Sequence, residues 1–255
     1  MRRNVIRHWD ERARKFGEYP KATGWGGHLR WVEKRQIMKY APKKGLILDL
    51  GCGNGYVLGY LFGEGKFLVG LDLSAEMVKT AKERLGGSSE IIRGDAAQLP
   101  FKNECFEYIY SIRTLVNMIS AGNQSRAMKE LARVLKRGRR LVLIECLVEG
   151  INNLNRLRND LGIPHLKIEW YNRFFKEEEM RSMLRENQLT VIRTMWLPII
   201  SVLEKVVFPK FRRIRGATRL FQALYYLSYL ADRELYRFFP LLGYDFVFAC
   251  AKESK

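Results

Sequence analysis

The run Leu48-Asp49-Leu50-Gly51-Cys52-Gly53-Asn54-Gly55 constrains this chain more than any other segment. Gly45 to Leu48 is apolar and reads as a buried strand. Tyr56 to Phe62 reads as the start of a helix. A glycine-rich turn between such elements lets backbone approach a ligand closely, and a helix N-terminus favours an anion. The pattern therefore points to a nucleoside cofactor. A second strand, Phe67 to Leu71, ends in Asp72, placed to accept two ribose hydroxyls. The glycines fall at 51, 53 and 55, and residue 56 is Tyr, so the spacing departs from the dinucleotide fingerprint.

Further segments follow in order. Asp72-Leu73-Ser74-Ala75-Glu76-Met77 closes the second strand and opens a helix, with Ser74 as N-cap. Ile91 to Ala96 is a third strand carrying Asp95. Cys105 to Ser111 is a fourth. A helix from about Gln124 to Leu135 leads through Arg137-Gly138-Arg139 to a fifth strand, Leu141 to Ile144. Leu189 to Trp196 and Tyr244 to Ala251 read as strands six and seven.

The G-x-G-x-G run and the ordered acids together resemble class I S-adenosylmethionine-dependent methyltransferases, over roughly residues 45–150. The resemblance implies an α/β fold, a Rossmann-like doubly wound sheet of seven strands, six parallel and the seventh antiparallel, with helical cap insertions. It implies S-adenosylmethionine as cofactor and no metal. Asp49 would accept from the donor's α-amino group, and Gly51, Gly53 and Gly55 would let backbone come close. Asp72, with Leu73 beside it, would take the ribose. Asp95 and Ala96 would read the adenine, and Ser111 with Ile112, at the end of the fourth strand, would border the methionine arm by backbone contact. Relatives usually carry Pro-Gly-Gly where this chain has Arg137-Gly138-Arg139. That turn lies away from the cofactor, so the departure is expected to affect turn geometry and not activity.

Charge bears on the acceptor. The chain has 255 residues and a net charge of +18. An N-terminal arm (1–45) precedes the cofactor core (46–145). An acceptor-side insertion (146–176), a helix with strand six (177–197), a basic aromatic cap (198–243) and strand seven (244–255) follow. Ligands of such sheets gather at the C-terminal ends of the parallel strands, so the arm and the two insertions should cover that face. Between Lys205 and Arg219 lie six basic residues and no acid, followed by Leu220, Leu224, Leu227, Ala231, Leu235 and Phe238 at helical spacing. A positive field around the entrance attracts an anionic acceptor or surface. The cap reads as a helix packed on the domain, as an element on an anionic membrane, or as a nucleic-acid platform. The four cysteines show no metal-binding spacing, and neither a signal peptide nor a membrane span is expected. The expected location is cytoplasmic, with peripheral contact at a membrane.

Leu154-Asn155-Arg156-Leu157-Arg158 and Trp170-Tyr171-Asn172-Arg173-Phe174-Phe175 resemble methyltransferases of surface-polysaccharide loci. That resemblance implies a sugar hydroxyl as acceptor, on a small molecule or a lipid-linked glycan. Arg156, Arg158, Trp170 and Asn172 would then line the acceptor pocket, with Arg113 and Asn117 added by position after strand four. A sugar hydroxyl needs a general base, and His165 or Glu145 is the expected one. Two alternatives stay open: a tRNA or rRNA methyltransferase, and a non-catalytic module that binds the cofactor or a partner.

Overall fold

The computed structural model describes residues 2–23, 27–196, 203–207 and 245–254. Its centre is a seven-stranded sheet of order β3-β2-β1-β4-β5-β7-β6. The strands are β1 (Gly45–Leu50), β2 (Lys66–Asp72), β3 (Glu90–Arg93), β4 (Phe106–Ile112), β5 (Leu135–Cys146), β6 (Leu189–Trp196) and β7 (Asp245–Lys252). β7 runs antiparallel to both β5 and β6, and the remaining pairings are parallel. The order reverses between β1 and β4, the switch point where open α/β sheets hold ligands.

Alternation along the strands divides the core into two layers. Leu48, Leu50, Leu141 and Leu143 face one apolar cluster. It is covered by α4 (Ala121–Val134), α5 (Val148–Asp160) and α6 (Glu177–Glu186). Ile47, Tyr108, Tyr110, Val142 and Ile144 face the other. That layer is covered by α2 (Gly27–Tyr40) and α3 (Ala75–Leu85). A period of two in side-chain direction is what sends neighbours along one strand to opposite layers. A third cluster, Ala13, Ala22 and Met77 with Trp9 and Phe16, docks α1 (Arg2–Phe16) onto α3. Ser74 caps α3 as expected, accepting from Met77 N at 3.1 Å.

Two local expectations are corrected. The segment after the glycines forms only a 3₁₀ turn, Leu58–Leu61, not an α-helix. The chain there lies hard against Leu85 of α3, which a Cβ on Gly55 would meet at 2.8 Å and one on Gly59 at 3.1 Å. β5 begins at Leu135 and contains the Arg137-Gly138-Arg139 step as a bulge against β4, with Gly138 at φ +67°. Arg139 and Lys136 pair with Glu107, and Arg137 pairs with Glu104 at 3.1 Å, which occupies the basic side chains of that step. The expected cap at 198–243 lies outside the described residues, apart from the π-helical turn Leu203–Val207. Among the described residues, no helix is long and apolar enough to cross a membrane.

Candidate functional site

A cavity of about 420 Å³ opens at the C-terminal ends of β1, β2 and β4. Its floor is the glycine turn. Gly51 sits at φ +74° and donates from N to Leu71 O at 2.7 Å. A side chain at Gly51 would collide with Thr114, whose hydroxyl donates to Leu50 O at 2.8 Å. Only glycine satisfies both the left-handed backbone and that close approach.

The three strand-end acids line this cavity. Asp72 accepts from Gly53 N through Oδ2 and from Ser74 N through Oδ1, each at 2.9 Å. Each oxygen keeps further acceptor capacity for a ligand. Burial raises its pKa, partly offset by those two bonds. Asp49 is 3 % exposed and accepts from the Tyr110 hydroxyl at 2.8 Å. Burial, aided by the nearby Asp72 charge, pushes its pKa up to about 7. Asp95 accepts from Ala97 N at 3.0 Å and pairs with Arg2 at the tip of α1. Leu73, Ala96, Gly53 and Ile112 also line the wall.

The shift at Asp49 has a sign that can be checked. Its folded pKa lies above its ordinary value of 3.8, so between about pH 4 and 7 the folded protein holds a proton the unfolded chain has lost. Stability contributed by Asp49 is thus full below that window and is lost as pH rises through it. A bound ammonium favours the ionised form, so donor binding is expected to release a proton near pH 6.5 and to tighten as pH rises towards about 7. Calorimetry in buffers of different ionisation enthalpy counts that proton. Asp49→Asn should bring the count to zero, and a zero count in the unaltered protein refutes the assignment.

Several expected residues stand elsewhere. Gly55 does not line the cavity; it is the close contact to Leu85. The Ser111 side chain is fully buried on the layer opposite Tyr110, and of the expected pair Ile112 lines the cavity. Glu145 is fully buried outside the cavity lining, where its carboxylate accepts from Leu115 N at 3.0 Å and Val116 N at 3.1 Å. Burial raises its pKa to about 8 against the pull of those bonds. His165 is exposed in the loop after α5 and lies outside the lining. Neither expected base therefore reaches the cavity.

Of the acceptor residues, Arg113, Asn117 and Asn172 line the cavity. Arg113 takes φ +50° just past β4 and pairs with buried Glu33 of α2. Asn117 donates to Arg113 O, while its Oδ1 is buried without a hydrogen-bond partner among the described residues. Arg156 is exposed beside Asn153. Arg158 is buried against the 161–166 loop, donating from Nε to Pro164 O at 2.7 Å and also bonding Lys205 O. Trp170 is 54 % exposed, with its ring edge against Tyr171 and His8.

Other residues of the cavity were not anticipated: Val5, Ile6 and Trp9 of α1, Arg30 of α2, and Tyr171 with Phe174. Val5, Trp9, Ala13 and Phe16 fall at spacings of four, four and three, so helical periodicity was the available signal for α1.

The residue set suits S-adenosylmethionine by the chemistry of its donors and acceptors. Two carboxylates with acceptor capacity left, a glycine floor and apolar walls meet a ribose, an ammonium and an adenine. Residues 48–143 match the family described as methyltransferase domain. Demethylmenaquinone methyltransferase of Thermotoga maritima is 31% identical over 57% of this chain and 63% of its own length. The tRNA (carboxymethyluridine(34)-5-O)-methyltransferase of Arabidopsis thaliana is 30% identical over 43% of this chain and 26% of its own. The chain thus spans under two thirds of either relative. Among solved structures, the methyltransferase complexed with the Trm112 activator of Haloferax volcanii superposes with a TM-score of 0.64 at 18% identity, covering 96% of this chain and 98% of that one. Residues 48–143 therefore form a methyltransferase domain, set in a sheet with the fold of class I S-adenosylmethionine-dependent enzymes.

Proposed function

We propose that this chain transfers the methyl group of S-adenosylmethionine to a small anionic acceptor that has an apolar or planar body. The observation that carries the reading is one cavity shared by two chemistries. Asp49, Asp72 and Asp95 lie at one end, and Trp9, Met118, Tyr171 and Phe174 with the cations Lys167 and Lys205 also line it. Donor binding falls to Asp49, Gly51, Gly53, Asp72, Leu73, Asp95 and Ala96. Bound donor supplies a methyl group on a positively charged sulfur, which leaves readily. The protein's part is to hold the acceptor in line and to exclude water, the effect that dominates where covalent help is not required.

With His165 and Glu145 outside the lining, Glu169 is the carboxylate at the acceptor end. A sugar hydroxyl would have to give its proton to that group. An acceptor atom that is already ionised, such as a carboxylate or a phenolate, needs no such transfer. A lipid-linked anionic acceptor also fits the rim, where Ile168 is 41 % exposed and Trp170 54 % exposed, flanking Glu169 and close in sequence to Lys167. This pattern of an aromatic and an aliphatic side chain next to a cation suits the edge of an anionic bilayer. A wobble-base RNA acceptor is the second reading, favoured by the similarity to the Arabidopsis tRNA enzyme.

Incubation with donor labelled in its methyl group, against a whole-cell extract split into lipid, small-molecule and RNA fractions, separates these. Label is expected in the organic or small-molecule fraction. Label confined to RNA overturns the small-acceptor reading and leaves the donor site intact.

A further inference from the structure

The arm before β1 meets each of the three segments that form the acid end of the cavity. Arg2 pairs with Asp95, and the Asn54 amide in the glycine turn donates to Gly17 O and Tyr19 O at 3.0 and 2.9 Å. The third contact falls just after Asp72. Asp10 of α1 is half-buried, and its Oδ1 accepts from the Ser74 hydroxyl at 2.5 Å and from Glu76 N at 3.2 Å. Ser74 Oγ accepts from Met77 N at 3.1 Å, and Ser74 N donates to Asp72 Oδ1 at 2.9 Å.

The first N–H groups of a helix have no partner within it. At the start of α3 the donors of Ser74, Glu76 and Met77 go to Asp72, Asp10 and Ser74 in turn. A serine hydroxyl carries a single proton. With Ser74 Oγ accepting from Met77 N, that proton goes to Asp10, so the side chain is held from both sides. Asp10 and Arg14 lie one turn apart on α1 and both end on Glu76, Asp10 at its N–H and Arg14 at its carboxylate, 3.0 Å away. Ala13 packs with Met77 beside them. The register of α1 on the start of α3 is thereby fixed.

We propose that Asp10 is a positioning residue for the methyl donor: by holding Ser74 and the first turn of α3, it aims the Asp72 carboxylate at the ribose hydroxyls. This rests on the cavity being the donor site and on Asp72 being its ribose group. Ser74 N and Gly53 N each take one acceptor direction on Asp72, and the remaining directions are set only while the backbone from Leu73 to Glu76 is held. Asp10 lies outside residues 48–143, so part of the precision of the donor site comes from the arm. Burial is the main cause that raises the Asp72 pKa, and the Asp10 charge adds to it, so geometry and charge have to be separated in the test.

Calorimetry with two ligands does so: 5′-methylthioadenosine, and its 2′,3′-dideoxy analogue, which offers Asp72 no hydroxyl. Asp10→Ala is expected to weaken methylthioadenosine roughly three- to tenfold, the range for one hydrogen bond. The dideoxy analogue should bind the variant as it binds the unaltered protein, so discrimination between the two ligands falls. Asp10→Asn keeps a neutral acceptor and should fall between. Arg14→Ala removes the exposed tie to Glu76 and should leave the discrimination unchanged.

Unchanged discrimination in Asp10→Ala overturns the proposal. An equal loss for both ligands also overturns it, since that marks a purely structural role for the arm. Tighter methylthioadenosine binding by Asp10→Ala or Asp10→Asn overturns it too, since repulsion between the two carboxylates would then be their only coupling. If Asp10→Ala does not fold, Asp10→Asn carries the test, and discrimination equal to that of the unaltered protein overturns the assignment. Failure of the unaltered protein to bind methylthioadenosine, or its binding both ligands equally, sinks the donor or ribose assignment itself and this proposal with it. A ribose preference that Asp10 does not affect sinks this proposal alone.

Discussion

Asp72→Ala is expected to weaken donor binding at least about a hundredfold, because a carboxylate accepting from two hydroxyls contributes roughly 1.5–3 kcal/mol per bond. The same change removes the acceptor for Gly53 N and Ser74 N, the two bonds that tie the glycine turn to the start of α3. Asp72→Asn separates the two roles. It keeps one carbonyl oxygen for a backbone amide and presents an NH₂ where the second acceptor stood, so it should fold and still bind poorly. Calorimetry with S-adenosylhomocysteine reads the affinity, and thermal unfolding reads the stability. If Asp72→Asn binds as well as the unaltered protein, the ribose assignment is wrong.

Glu145→Ala is expected to cost roughly 2–5 kcal/mol of stability, by stranding the buried Leu115 and Val116 amides and removing fully buried side-chain volume. Those amides open the 3₁₀ turn Leu115–Asn117, whose Val116 and Asn117 face the cavity. Glu145→Gln should be milder, since its carbonyl can still serve one amide. Denaturant unfolding measures the difference. A loss of activity with no loss of stability in either variant would return Glu145 to the catalytic role the sequence proposed for it. Protonation works in the opposite direction to the usual carboxylate. The Glu145 pKa is raised from 4.5 to about 8, so its contribution to stability is full below about pH 4.5 and is lost as pH rises through that interval.

Much of the fold was legible because it depends on short-range pattern. Apolar runs ending in acids marked β1 and β2, and the serine after Asp72 marked the start of α3. The bounds of β6 match the expected Leu189–Trp196. The misses have specific causes. Parity along β5 places Glu145 with Leu141 and Leu143, on the layer turned away from Asp49. Proximity in sequence to a strand end had outweighed that alternation. Gly55 answers to a helix packed against it, a tertiary contact that a glycine motif does not reveal. Arg158 follows Ile151 and Leu154 on the buried stripe of α5, so its charge is spent on holding two carbonyls and not on a ligand. His165 sits in an irregular loop, where no periodicity indicates direction. Arg30 lay outside every motif, and only burial beside Asp49 brings it into view.

The bulge in β5 carries an evolutionary consequence. Its slack is taken up at residues 136–139, at the far end of the sheet, while pairing from Tyr108–Arg140 to Ile112–Ile144 proceeds in step. A lineage could lengthen or shorten that corner and leave the cavity wall where it is. The Arg-Gly-Arg departure thus belongs to a tolerant margin of the molecule, free to drift while the ligand end stays fixed.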